Sequence, residues 1–277
     1  MKICIYSNCQ RWGIVPNLKR NIKGVEISEI ENYTLIRKKK PLPINVISEC
    51  DVFIYQPIRK EHGIYSTNSS KDQENVVSYL KSDCLKISFP YIYNSGIWCL
   101  VRGGIEKDDG STQGNRDVIK ALSKDHTLSE IINLYRRNEI DYNYKNRFDT
   151  SLDNLKRRER DCNIIVSELI ESNIRKHKLF YTQNHPTPFV FDYVCKQILD
   201  LIRCKYPDYI SKNYTYVTRN LLCKNKGHPV SRSDILYWNF EYIKTEDESA
   251  DEYYIDLITQ YYNNVRKHDQ GIPDVYY

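Results

Sequence analysis

No run of eighteen apolar residues occurs in this sequence, so no membrane span is expected. The start of the chain has neither the length nor the flanks of a secretion signal, and the expected compartment is the reducing cytoplasm. The nine cysteines are odd in number and irregularly spaced, which argues against a disulfide scaffold. There is no C-x-x-C pair and no H-E-x-x-H, so no dedicated metal site is expected. G-x-S-x-G, Walker A and G-x-G-x-x-G are missing too, which removes the usual signatures of serine hydrolases, P-loop enzymes and dinucleotide-binding folds. Methionine occurs once, and no low-complexity segment or internal repeat is present.

What remains is an ordinary globular composition, 40% hydrophobic and 28% charged, in a chain long enough to bury a core. The formal charge of +5 makes no case for nucleic acid; it suits an anionic ligand or a solvated surface. The run Arg37-Lys38-Lys39-Lys40 before Pro41 reads as an exposed turn.

The stretch that organises the chain is Met1 to Gly13. Ile3 to Tyr6 is apolar and partly β-branched, as a buried first strand should be. Ser7-Asn8-Cys9-Gln10 turns the chain, and Arg11 to Arg20 has helix-like spacing, with Pro16 as its weak point. Further strands are expected at Val25 to Ile30, Val52 to Tyr55 and Cys84 to Ser88, the last two stopping at Gln56-Pro57 and Phe89-Pro90. Strands alternating with helical segments imply a parallel α/β sheet whose working edge lies at those turns. A helix is expected at Gln73 to Leu80 and a polar loop at Gly103 to Gly114. Thereafter the chain turns helical: Arg116 to Ser123, a capping box at Thr127 to Glu130, one long helix from about Thr150 to Lys176, Phe189 to Arg203 with Thr187 and Pro188 at its start, and a last helix from Ala250 to Val265. One α/β domain over 1–277 is expected, its α/β part about 1–102 and a mainly helical part about 115–277.

Cys9 is the strong nucleophile of the first turn. It sits at a strand's carboxyl end and a helix N-terminus, where unpaired N–H groups favour anions and would lower a thiol pKa. A thiol also needs a base, and His185, with Asn184 beside it, lies in a loop before a helix. His228 is the rival base.

Four landmarks occur in order: Ser7-Asn8-Cys9-Gln10, Gln56-Pro57, Phe89-Pro90 and Thr182-Gln183-Asn184-His185-Pro186. Together they resemble the WcbI family of polysaccharide-biosynthesis proteins of capsule gene clusters, over roughly residues 1 to 205. The family usually has Gly-Asn-Cys-Gln in the first turn and Asn-His-Pro later. Ser7 stands where Gly is usual, which strains the match only if that position requires positive φ.

The resemblance implies an α/β fold related to the SGNH and GDSL esterases, of Rossmann-like parallel type with a large helical insertion or C-terminal half. It implies coenzyme A, as acetyl-coenzyme A substrate, and acetyl transfer to a capsular or surface sugar. Cys9 and His185 would be the reacting pair, and Asn8, Gln10, Gln56 and Asn184 would line the site. No Asp in the esterase pattern precedes His185, so no third triad member is assigned.

The expected function is therefore acyl transfer from coenzyme A to a sugar hydroxyl. The N–H groups after Cys9 and the amides of Asn8 or Asn184 would hold the oxyanion. Arg11 and Arg102 would bind the coenzyme's phosphates, and Ser7 and Tyr91 to Tyr93 would shape the sugar pocket. An esterase or deacylase using the same Cys-His pair, or a non-catalytic coenzyme A or glycan-binding protein, are the alternatives.

Overall fold

The computed structural model describes residues 1–68, 74–101, 114–218, 222 and 227–269. The polar loop expected from Gly103, and Arg102 with it, lies outside the described residues. In chain order the elements are β1 (Lys2–Ser7), α1 (Arg11–Asn21), β2 (Glu26–Glu31), α2 (Asn32–Lys38), α3 (Ile44–Glu49), β3 (Val52–Tyr55), β4 (Leu85–Ser88), α4 (Gly114–Leu122), α5 (Leu128–Arg136), α6 (Tyr144–Glu159), α7 (Ser167–Asn173), β5 (Phe180–Thr182), β6 (His185–Pro186), α8 (Pro188–Lys205), α9 (Arg232–Trp238) and α10 (Ala250–Asp269). Among the described residues, no helix is long and apolar enough to cross a membrane.

β1 to β4 form one parallel sheet in the order β2-β1-β3-β4, with Tyr6 opposite Ile30 and Tyr55, and Tyr55 opposite Ser88. Ile3, Cys4, Ile5 and Tyr6 are all buried because both faces of β1 are covered. On one face, Cys4, Tyr6 and Phe53 pack with Leu42, Ile47 and Val76. α1 and α8 pack against each other. The chain leaves β1 towards β2, then crosses back to β3 on the other side of β1. That reversal is a topological switch point, where an open α/β sheet offers a crevice beyond its strand ends. The turn carrying Cys9 follows β1, and Gln56 follows β3, so both stand at this crevice.

The chain divides into two compact units that interleave along the sequence. One comprises Met1–Ile92, Leu155–Glu171 and His185–Lys224, the other Tyr93–Asn154, Ser172–Asn184 and Asn225–Tyr277. This division differs from the expected one near residues 102 to 115, because 155–171 and 185–224 rejoin the sheet unit. In the second unit, buried Arg147 on α6 donates to the carbonyls of Ser95, Trp98, Cys99 and Tyr142. Buried Asp234 accepts from Tyr144 Oη and the Ser231 N–H, at 2.6 and 2.8 Å, and from the Cys99 N–H. Burial raises its carboxyl to about 6.

Several expected elements are corrected. α1 runs through Pro16, well past its first turn. Burial of Ile14, Val15 and Leu18 offsets the missing N–H. The helix expected from Gln73 is only a short 3-10 turn, Val76–Tyr79, capped by Asn75; Gln73 itself lies outside the described residues. The long helix expected over Thr150 to Lys176 is two. After α6, the Asn163 side chain accepts from the Ser88 N–H at 2.8 Å and the Asn163 N–H donates to the Ser88 carbonyl at 3.0 Å. The buried Glu159 carboxylate then accepts from the N–H groups of Val166 and Ser167, at 2.6 and 2.8 Å, starting α7. α8 has Pro188 in its first turn as expected, but Thr187 makes no side-chain cap to it.

Gly13 is where α1 meets α8. A Cβ there would lie 2.3 Å from the Phe191 ring. The expected cost of Gly13→Ala is about 1–3 kcal/mol in urea unfolding, as for overpacked cores, and Phe191→Leu in the same chain should recover part of it. An unchanged midpoint for Gly13→Ala would contradict this packing.

Candidate functional site

The turn after β1 is built by amides. Asn8 Oδ1 accepts from the Gln10 N–H at 2.9 Å, closing the turn on itself. The Asn8 N–H donates to Gln56 Oε1 at 3.0 Å, and Gln56 Nε2 donates to Gln10 Oε1 at 3.0 Å. Gln10 Nε2 in turn donates to the Ile92 carbonyl at 2.7 Å, and the Ile92 N–H donates to Gln10 Oε1 at 3.2 Å. This chain of bonds links the ends of β1 and β3 to the segment after β4. Gln10 is 0% and Gln56 3% exposed, so both side chains are spent inside the protein. They position the turn; they do not face a substrate.

Within this frame Cys9 Sγ lies 3.7 Å from His185 Nε2, both residues being half-buried. His185 opens β6, two residues before the N-cap of α8. Its Nδ1 is buried without a hydrogen-bond partner among the described residues. Among the described residues no carboxylate orients the imidazole or stabilises its cation, and burial pushes its pKa below the ordinary value. Burial likewise pushes the Cys9 thiol up; Arg11 and the Cys9 N–H oppose this, and Glu31 adds to it. The expectation that the helix N-terminus lowers the thiol pKa is corrected. The resting pair is a neutral thiol beside a neutral imidazole, since desolvation acts on both.

The oxyanion expectation changes too. The N–H groups of Arg11, Trp12 and Gly13 donate back to the carbonyls of Asn8, Cys9 and Gln10, at 3.3, 3.0 and 3.0 Å, and the Gln10 N–H is held by Asn8. These four donors are occupied. Asn8 uses its Oδ1 in the turn, which leaves Nδ2 as a donor beside Cys9 with no partner among the described residues.

Arg11 is 9% exposed and committed to the protein. It donates to the Asn8 carbonyl at 3.0 Å and pairs with Glu29 and Glu31 of β2, at 3.4 and 3.2 Å. It is not a free cation for phosphate, contrary to expectation. The sequence places Arg11 beside Cys9, but only the parallel pairing of β1 with β2 brings the two carboxylates to it. Ser7 is fully buried, and its hydroxyl donates to the Asn8 carbonyl at 3.2 Å; it is absent from the residues with positive φ, so the usual Gly is not required there. It does not reach a sugar. Tyr91 lies under the Arg158 guanidinium, 5.4 Å from its ring centroid.

Asn184 belongs to the second unit, where its Oδ1 accepts from Thr182 Oγ1 at 3.0 Å. His228, the rival base, is in that unit too. It is 7% exposed, with Tyr253 Oη 2.7 Å from Nδ1 and Gln183 Oε1 2.8 Å from Nε2. Both ring nitrogens are occupied, and its role there is structural.

Comparison with family models matches residues 2–206 to the polysaccharide biosynthesis enzyme WcbI. No curated protein matches the chain. One solved structure is similar over 95% of this chain and 90% of its own, at 15% identity and a TM-score of 0.64. It is of WcbI, a polysaccharide biosynthesis enzyme, described as native protein without a disulfide bond between coenzyme A and one of its cysteines.

Two outcomes follow from this site. Gln56→Leu leaves the part-buried Asn8 N–H unpaired and takes a donor from buried Gln10 Oε1, and should cost about 1–3 kcal/mol, read as a lowered melting temperature. An unchanged temperature would remove the amide chain's structural role. Peptide mapping of iodoacetamide adducts against pH should give Cys9 a midpoint above the ordinary thiol value of about 8.5, lowered again by Glu31→Gln. A midpoint well below that value would mean a preformed thiolate.

Proposed function

This chain belongs to the WcbI family of polysaccharide biosynthesis enzymes, and from that premise we propose that it moves an acyl group, acetyl in the simplest case, from coenzyme A to a hydroxyl of a capsular or surface sugar. The observation that carries the reading is the Cys9–His185 pair, 3.7 Å apart at the switch point of the sheet. The similar WcbI structure is described as free of a disulfide bond between coenzyme A and one of its cysteines, words that link the coenzyme and a cysteine in that protein. A thiol beside an imidazole at a strand end suits attack on a thioester carbonyl.

The proposed chemistry uses a neutral pair. Cys9 Sγ attacks the thioester carbonyl while its proton passes to His185 Nε2, so thiolate forms only as the bond forms. Asn8 Nδ2 donates to the oxyanion of the tetrahedral intermediate. The coenzyme's sulfur leaves and takes the proton from His185. A sugar hydroxyl then attacks the Cys9 thioester, gives its proton to His185, and releases the ester as that proton returns to Cys9. For His185 to accept at Nε2 its own proton sits on Nδ1, the atom that lacks an acceptor. No carboxylate is needed to balance these steps. The half-buried thiol and imidazole fit the thioester end of the coenzyme, whereas Arg11 does not fit its phosphates.

Cys9→Ser and His185→Ala, assayed with acetyl-coenzyme A and sugar acceptors, should each lower turnover by about 10²–10⁴-fold while coenzyme A binding persists in calorimetry. Parental turnover in both variants would place the chemistry elsewhere. Release of acetate with no dependence on any sugar would make the enzyme a hydrolase.

A further inference from the structure

Trp12 is 41% exposed, against 2% for Trp98. It lies in the first turn of α1, and its N–H donates to the Cys9 carbonyl at 3.0 Å. A single exposed indole is ordinary on a protein surface; what singles this one out is its place three residues after the reactive cysteine. Its surroundings indicate what it would hold. The Arg11 guanidinium carbon is 5.1 Å from the indole centroid, and the same guanidinium holds Glu29 and Glu31. Arg37 also acts on Glu31, so the cations of this edge are already matched by carboxylates. Glu31 also accepts from Thr34, whereas Glu29 has no partner other than Arg11 among the described residues, and both side chains remain about one-third exposed.

An edge whose cations are matched in this way offers little to a phosphate, so it disfavours the anionic coenzyme. It suits a neutral sugar. The C–H face of a pyranose can lie on the exposed indole, and its hydroxyls can donate to carboxylate oxygens, which only accept. We infer that Trp12, flanked by Glu29 and Glu31, is the platform on which the acceptor's pyranose ring is held next to Cys9. The word acceptor rests on the acyl-transfer reading; the sugar binding does not.

The test separates the two. Neutral methyl glycosides of gluco, galacto and manno configuration are titrated into the full-length protein, and tryptophan emission is followed. The expected result is a blue shift with at least one glycoside in the parent protein; affinity for that glycoside, followed by calorimetry because both variants lack the emitting indole, is lost in Trp12→Ala and partly kept when a phenyl ring remains in Trp12→Phe. The glycoside that shifts emission then serves as acceptor. Trp12→Ala should raise its KM by about tenfold while the Kd for coenzyme A stays within about twofold, and Glu29→Gln should raise the same KM by a smaller factor. Glycoside binding at Trp12 without any acyl transfer keeps the platform and sinks the transferase reading. Acyl transfer with an acceptor KM indifferent to Trp12→Ala does the reverse. Loss of coenzyme A affinity in Trp12→Ala would give the ring to the coenzyme and overturn the proposal, as would no shift with any glycoside.

Discussion

The side-chain amides of Gln10 and Gln56 hold the reacting end of the molecule in place. Through them the Asn8 N–H, the Gln10 carboxamide and both backbone groups of Ile92 satisfy one another away from solvent. In a low-dielectric interior each such bond is stronger, and each broken one leaves an unpaired polar group of high cost. The turn after β1 is therefore held in the one arrangement that pairs these buried amides. Cys9 Sγ and Asn8 Nδ2 are the groups in it left over for chemistry, since Ser7 is turned inward and Asn8 Oδ1 closes the turn.

Electrostatics around that thiol differ from those of a preformed thiolate–imidazolium site. Burial raises the thiol and lowers the imidazole, and the nearest cation, Arg11, is largely neutralised by Glu29 and Glu31. The pair is kept uncharged, so proton transfer must accompany attack. This resembles the demand on a serine–histidine pair more than that on a free thiolate. The same ion pairs that withhold Arg11 from phosphate place carboxylate acceptors at the edge beside Trp12, so a single arrangement of charges bears on both substrates.

How much of this was legible in the chain depends on where each signal lies. β1 and β3 could be read because strands buried on both faces appear as unbroken apolar runs, as in Val52 to Tyr55. The capping box of α5 is local, and Thr127 and Glu130 do bond reciprocally. The break between α6 and α7 was hidden, because it is made by bonds between Asn163 and Ser88, residues 75 apart in sequence. Pro16 misled in the other direction, since burial of its neighbours overrides local propensity. Gln10 and Gln56 were singled out through the family resemblance as residues expected to line the site. Their task was not legible, because an amide's partner depends on the fold. Arg11 looked like a phosphate ligand for the same reason: nothing local to it announces Glu29 and Glu31.

The central claim is that Cys9 carries the acyl group between coenzyme A and the sugar. It is tested most directly by rapid acid quenching of the protein with acetyl-coenzyme A in the absence of an acceptor, followed by mass mapping of the Cys9 peptide. An acetyl thioester on Cys9, discharged when a sugar acceptor is added and missing in His185→Ala, is the predicted result. Unmodified Cys9 throughout, with acetyl transfer continuing in Cys9→Ser, would contradict it.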